Sequence, residues 1–365
     1  MKYCTNCVMP DTRPRITFDE RGWCNACQWA EEKNALDWPS RWKMLEELCD
    51  KYHSKTGFDC IVPVSGGKDS SYVAYMMKHR LGMNPLCVTI RPNLELDVGR
   101  QNLINFINAG YDHIHLTPDP GISREIDCIG FVEAGRPLLG WQTAVQTSIF
   151  RFAQKLSIPF VMFGEDGETE YGGAKKLKHL HYYDASDAVN IYLEGHDPNR
   201  YAAKFDKSKL YLFSFPTADE LIAAEVCIAH WSYFENWDPY EHYLVAKGKC
   251  GLQEQKERAT ASYNNFAQTD TSLYNLHAWL MYLKFGFGRC SQDVGIDIRR
   301  GAMSRKQGLS LIKRFDREAP TQFIPQYLDY FRMTADEFDE TIAKHVSKSL
   351  FEFKNGAWEP TFEPQ

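Results

Sequence analysis

No stretch of this 365-residue chain approaches the ~20 consecutive apolar residues that span a bilayer, and no apolar run follows Met1-Lys2-Tyr3-Cys4. The chain therefore reads as cytoplasmic, with no membrane partner expected. Positive charge is not in excess either. There are 42 Lys and Arg against 48 Asp and Glu, a net charge of -6 at pH 7 that gives no global attraction to nucleic acid, which is not an expected partner. Hydrophobic content of 44% with 25% charged residues excludes a disordered or fibrous chain, and the length suffices for two or three structural units. Eleven cysteines, an odd number in a large chain without a secretory signal, do not form a disulfide framework.

Four of those cysteines are organised. Cys4-x-x-Cys7 and Cys24-x-x-Cys27 are separated by sixteen residues, a spacing that points four thiolates at one tetrahedral Zn²⁺. Asp11-Thr12-Arg13-Pro14 and Asp19-Glu20-Arg21-Gly22 supply the turns of a two-knuckle ribbon. A Cys₄ shell leaves no open coordination position, so this zinc is expected to be structural. Cys49, Cys60, Cys87, Cys128, Cys227, Cys250 and Cys290 lack ligand spacing and read as core thiols.

Ser65-Gly66-Gly67-Lys68-Asp69-Ser70 directly follows the apolar run Ile61-Val62-Pro63-Val64. A strand ending in small and hydroxyl residues, then a helix from Ser70 to His79, places backbone N–H groups at a helix N-terminus, where anions bind. The Walker A pattern needs a longer loop and Ser or Thr after its Lys, whereas Asp69 follows Lys68 here. The stretch resembles the loop of the PP-loop ATP pyrophosphatases. That resemblance implies cleavage of ATP between its α and β phosphates and transfer of AMP to a carbonyl or carboxyl oxygen.

Around the loop the pattern alternates: strand 58–64, helix 69–80, strand 86–90, helix 97–108, strand 113–116, helix 141–156, strand 159–163. Alternation of this kind predicts an α/β fold with an open parallel sheet. Ligands in such sheets sit beyond the carboxyl ends of the strands, where Ser65–Ser70, Thr89 and Gly164 all fall. Asp69, with one of Glu165, Asp166 or Glu168, is expected to hold Mg²⁺ against the phosphates, Asp166 being the working choice; capping of a helix is the competing role for each acid. Domain expectations are a zinc ribbon over 1–35, a PP-loop domain over 36–215 with an insertion around 170–210, and a mostly helical region over 216–365. An amphipathic helix over 38–52 is expected to pack the ribbon against the main domain. Basic residues of the insertion, among them Lys175, Lys176, Lys178, Arg200 and Lys204, face either phosphates or solvent. Residues 216–280 read as helical and aromatic. In Lys284-Phe285-Gly286-Phe287-Gly288-Arg289, two glycines between basic residues suggest backbone close to an anion.

Taken in order, the ribbon, the loop, Gly164-Glu165-Asp166-Gly167-Glu168-x-Glu170-Tyr171-Gly172-Gly173 and Lys284-Phe285-Gly286-Phe287-Gly288-Arg289 resemble the bacterial N-acetyl sugar amidotransferases over nearly the whole chain. The resemblance implies a sheet of the HUP, or adenine nucleotide alpha hydrolase-like, type. It also implies conversion of an acetamido into an acetamidino group on a surface-polysaccharide or nonulosonic acid sugar, with ATP, Mg²⁺ and structural Zn²⁺. Lys68, Asp69, Lys284 and Arg289 become the expected catalytic residues, and Ser65, Gly66, Gly67, Lys68, Asp69, Ser70, Thr89 and Gly164 the ATP-binding ones. No glutaminase nucleophile is recognisable, so ammonia is expected from a separate glutaminase. The competing expectation is a zinc-ribbon tRNA thiolation enzyme, which requires cysteines beside the site; Cys128 is the residue to watch.

Overall fold

The computed structural model describes every residue except Lys55, Glu165, Ala174 and Leu177. Six strands, β1 Cys60–Pro63, β2 Pro85–Ile90, β3 His113–Leu116, β4 Phe160–Phe163, β5 Tyr182–Tyr183 and β6 Cys227–His230, form one sheet in the order β3-β2-β1-β4-β6-β5. All neighbours are parallel except the edge pair β5–β6. This is the open parallel α/β sheet that the alternation predicts. All six residues of β2 are buried, as expected where helices cover both faces of a parallel sheet.

Period-2 alternation divides the sheet's side chains between two cores. Ile61, Val88, Val161 and Ile228 pack under the helices Pro120–Ala134 and Leu139–Leu156, against Ile126, Leu139 and Phe150. Val62, Cys87, Met162 and Ala229 face Leu45, Val73, Met77 and Phe106 on the other side. Strand order reverses between β1 and β4, whose pairing at Ile61 and Val161 sets their carboxyl ends side by side.

β6 corrects the helical reading of 216–280. Its run Cys-Ile-Ala-His is too short for a strand to be told from a helical segment by periodicity alone, and only pairing with β4 settles it. The helix Pro239–Cys250 packs on the helix Lys68–Tyr75, so residues 227–230 and 239–250 belong to the sheet's own layers. At the other end of the chain, within the region expected to be mostly helical, Phe351–Lys354 and Ala357–Pro360 pair as a hairpin. Its turn residues, Asn355 and Gly356, have φ of 52° and 81°, the left-handed pair that Asn-Gly favours.

The ribbon docks differently from expectation. Its attachment runs through the helix Asn25–Lys33, not chiefly through Trp38–Tyr52. Trp29 and Lys33 each bond the buried Glu170 carboxylate, at 3.0 and 2.8 Å, and Asn25 donates to the Gly173 carbonyl at 2.9 Å. Gly172, at φ 86°, caps the short helix Gly167–Tyr171, and a Cβ there would meet Ala26 Cβ at 3.1 Å. The Tyr-Gly-Gly segment is therefore the ribbon's seat. From the C-terminal side, Arg305 donates to the carbonyls of Cys7 and Cys4 at 2.8 and 3.2 Å, and Phe287 packs among the four cysteines.

The four Cys Sγ atoms lie within 4.8 Å of one another and all four residues are buried. Cys4 and Cys27 are separated by 3.7 Å, Cys7 and Cys24 by 3.6 Å. A Zn–S bond of about 2.3 Å sets tetrahedral sulfurs about 3.8 Å apart, so the thiolates fit a single closed-shell ion. Backbone N–H groups of Cys7 and Cys24 point at Cys4 Sγ, at 3.4 and 3.2 Å, which stabilises a thiolate. Cys24→Ser is expected to lose the bound metal and to unfold the ribbon first; metal analysis and circular dichroism of the purified variant check this, and full metal content would contradict it.

Candidate active site

β1 runs into Ser65–Gly67, and Gly67 is the N-cap of the helix Lys68–Tyr75 without a side-chain cap bond, leaving first-turn N–H groups for an anion. The loop's shape is set locally. Gly67 N–H donates to Ser65 Oγ at 3.3 Å, and Ser65 N–H to Ser70 Oγ at 3.2 Å. Gly66 has φ 80°, and a Cβ on it would lie 2.6 Å from Leu103 N in the helix Asp97–Asn108. Glycine is required there twice over, by backbone conformation and by close approach.

The loop opens on a cavity of about 670 Å³. Ser65, Gly67, Lys68, Asp69, Ser70, Thr89 and Gly164 line it from the strand ends, and Lys284 and Arg289 line it from the C-terminal region. The structure thus brings together residues as far apart in sequence as 65 and 289. Gly66 shapes the loop from behind. Thr89 is held by bonds to the Val64 carbonyl, 2.6 Å, and His113 Nε2, 2.8 Å.

Asp69 is already engaged. Its Oδ1 accepts from Trp237 Nε1 and His242 Nδ1, both at 2.9 Å, and Oδ2 faces the Lys68 ammonium. Burial opposes its charge, but Lys68 and His242 outweigh that and hold the carboxyl below the usual range. With both oxygens engaged in this way, the carboxylate orients Lys68. Asp166, the other expected Mg²⁺ ligand, is engaged as well. It caps the helix Gly167–Tyr171 through Glu168 N–H at 3.1 Å, accepts from the Thr169 hydroxyl at 2.5 Å and from Tyr192 at 3.1 Å, and is not among the cavity's lining residues. Capping of that helix is the role the structure shows for Asp166. Glu165 lies outside the described residues. Glu168 does line the cavity, gripped by Arg15 at 2.8 and 3.1 Å.

Lys284 donates to the Ala134 carbonyl at 2.8 Å, and burial lowers its pKa from the ordinary lysine value. Arg289 pairs with Asp293 at 2.9 Å and lies over the Tyr171 ring. The glycines between them serve the chain itself, contrary to the expected approach to a bound anion. Gly286, φ 75°, ends the helix Leu273–Phe285, and Gly288 N–H donates to Asp316 Oδ2 at 2.7 Å. The anion that this backbone meets is the Asp316 carboxylate, pushed up to about 6 by burial.

Several cavity residues carried no sequence signal. Arg13 and Arg15 arrive from what reads as a ribbon turn, and Arg136 follows a helix end, donating to Leu193 O and Gln142 Oε1 at 2.8 Å each. Glu194, 3.5 Å from Arg136, comes from the insertion, as do Ile191 and Tyr192. The insertion's lysines point elsewhere: Lys176 pairs with Asp187, Lys178 with Glu32, and Lys204 with Glu125 at 3.3 Å. His277 is pushed down to about 4 by burial, with Arg136 adding to the effect, so its ring is neutral near pH 7. Asp270 sits behind Ser65 and is pushed up to about 6 by burial.

Residues 260–363 match the model of a family described as "LPS biosynthesis protein WbpG-like, C-terminal domain". The C-terminal part of the chain is thus similar to that domain over residues 260–363. No curated protein sequence matches the chain. Among solved structures, a predicted subunit of tRNA methyltransferase from Methanocaldococcus jannaschii aligns at 12% identity and TM-score 0.29, covering 61% of this chain and 86% of that one. The U34-tRNA thiolase NcsA from Methanococcus maripaludis, with its [4Fe-4S] cluster, aligns at 12% identity and TM-score 0.31, covering 83% and 87%. At these scores neither likeness bears on fold or function.

The segment that matches this family model supplies Asp270, Tyr274, His277, Lys284 and Arg289 to the cavity that the loop after β1 also lines. Gly66→Ala, which drives a methyl into the Leu103 backbone and strains φ, is expected to cost about 1–3 kcal/mol of stability and to abolish nucleotide binding. Thermal melts and ATP titration check this; unchanged binding would contradict the loop's assignment.

Proposed function

We propose that the chain is an ATP-dependent amidotransferase that converts the acetamido group of an N-acetylated sugar into an acetamidino group during bacterial surface-polysaccharide or nonulosonic acid synthesis. The observation that carries this reading is the shared cavity, with an anion-binding loop on one wall and a domain similar to a lipopolysaccharide biosynthesis protein on the other. The reaction takes place in the cytoplasm, on a sugar that carries the group as a free amide.

An amide carbonyl is a poor electrophile until its oxygen becomes a leaving group. In the proposed reaction the acetamido oxygen attacks the α-phosphate of ATP, and pyrophosphate departs into the loop, held by the backbone of Ser65–Gly67, the Ser70 hydroxyl and Lys68. Lys68 is aimed by Asp69, itself fixed by Trp237 and His242. Mg²⁺, bound with ATP, neutralises phosphate charge. Ammonia from a separate glutaminase then adds to the imidate carbon, and AMP leaves with the former amide oxygen. Lys284 and Arg289 stabilise charge at the acceptor end of the cavity, where positioning and electrostatics carry the transfer. Zn²⁺ in the ribbon has a structural role.

Thiolation of tRNA is disfavoured: no described residue lining the cavity is a cysteine, and Cys128 packs against the C-terminal core. The deciding assay is AMP release with Mg²⁺-ATP and ammonium chloride, comparing N-acetylated nucleotide sugars and nonulosonic acids with bulk tRNA. AMP together with a sugar changed by one O-for-NH exchange is expected, whereas AMP with tRNA alone would transfer the assignment to thiolation. Lys68→Ala is expected to lower AMP release at least ~100-fold with metal content intact; full turnover would overturn the loop's role.

A further inference from the structure

Five carboxylates among the described residues line the cavity, and four are paired. Asp69 meets Lys68 and His242, Glu168 meets Arg15, Glu194 meets Arg136, and Glu95 meets Arg100 at 3.0 Å. Asp270 forms no ion pair among the described residues, and its buried Oδ1 has no hydrogen-bond donor. The Ser65 side chain supports its ionised form by hydrogen bonding. A buried carboxylate oxygen without a donor is unfavourable. Beside a loop that receives pyrophosphate, it would also repel the ligand.

The position of Asp270 is firmly set. Leu96 N–H donates to the Asp270 carbonyl and Ser272 N–H to the Leu94 carbonyl, both at 3.0 Å, and Glu95 and Thr271 form an antiparallel bridge. A Cβ on Gly99 would lie 2.3 Å from Thr269 O, so the helix Asp97–Asn108 and residues 269–272 are in intimate contact. That same helix backs Gly66. Through it the beginning of the segment that matches the family model is registered against the phosphate loop.

We infer that Asp270 is a ligand of the divalent cation that accompanies the phosphates of ATP at this loop. The inference rests on the nucleotide reading proposed above. Mg²⁺ is commonly held by one or two carboxylates together with substrate phosphates, retaining several waters, and a carboxylate that lines the cavity beside Ser65 with one oxygen unpaired fits that pattern. The cation removes the repulsion between the acid and the phosphates and completes the carboxylate's coordination. The C-terminal domain thereby takes part in the first half-reaction as well as in acceptor binding.

The test uses the full zinc-loaded chain and Mn²⁺ as the probe, with free Mn²⁺ followed by electron paramagnetic resonance in the presence and absence of pyrophosphate. In the unaltered chain, pyrophosphate is expected to tighten Mn²⁺ binding, and Asp270→Asn is expected to weaken the ternary complex at least ~10-fold while zinc content and thermal melting stay unchanged. Equal Mn²⁺ affinity in Asp270→Asn would overturn the assignment and leave the loop's role standing. Failure of the unaltered chain to bind either pyrophosphate or ATP with Mn²⁺ would overturn the nucleotide reading and this inference together. If Asp270→Asn does not fold, Asp270→Glu, which keeps the charge on a longer arm, takes its place. An altered ternary Mn²⁺ affinity supports ligation, and an unaltered one overturns it.

Discussion

The pairing of β1 with β4 is the contact on which the site's construction depends. It occurs at the point where strand order reverses, so the chain leaves both strands in the same direction with nothing between their ends. One exit becomes the Gly66-Gly67 loop; the other becomes Gly164 and the segment that seats the ribbon. Everything that later closes over the cavity is referenced to these two exits. The ribbon rests on Glu170 and Gly173, and residues 269–272 rest on the strand-like segment 93–96 beyond β2. A binding site assembled in this way depends on long-range contacts for its walls and on a local motif only for its floor.

The charges in the walls follow the same division. Most acids and bases in the cavity are already matched, so the cavity carries few uncompensated charges despite its polarity. Matching also fixes side-chain directions: Lys68 is aimed by an aspartate that is itself held by an indole and an imidazole. Preorganisation of this kind reduces the rearrangement required when a highly charged ligand arrives.

Features encoded within a few residues were visible in the sequence. The Cys-x-x-Cys pairs, the loop after β1 and the alternation through β4 depend on spacing, periodicity and backbone permissiveness, all local properties. The role of an acid is not local. Asp166 and Asp69 have the composition of metal ligands, and only the structure shows that their oxygens are occupied by Thr169, Tyr192, Trp237 and His242. Conversely, Asp270 stands in an unremarkable Thr-Asp-Thr-Ser run, and its significance arises from antiparallel contact with residues more than 170 positions earlier in the chain. The glycines of Phe-Gly-Phe-Gly illustrate a third case: Gly286 ends a helix, and the anion that Gly288 meets is the chain's own Asp316 and not a bound ligand. β6 was missed because a short buried strand resembles a helical fragment until its partner is known, whereas the Asn355-Gly356 turn was a signal available in the sequence.

Arg13 and Arg15 project from the cysteine ribbon into the cavity, and Phe287 of the opposite wall packs among the cysteines. The fold of the cysteine ribbon and the shape of the adjoining cavity are thereby coupled. An ion held by the four cysteines would therefore also fix one wall of the cavity, and its loss would be felt there while the loop after β1 stayed intact.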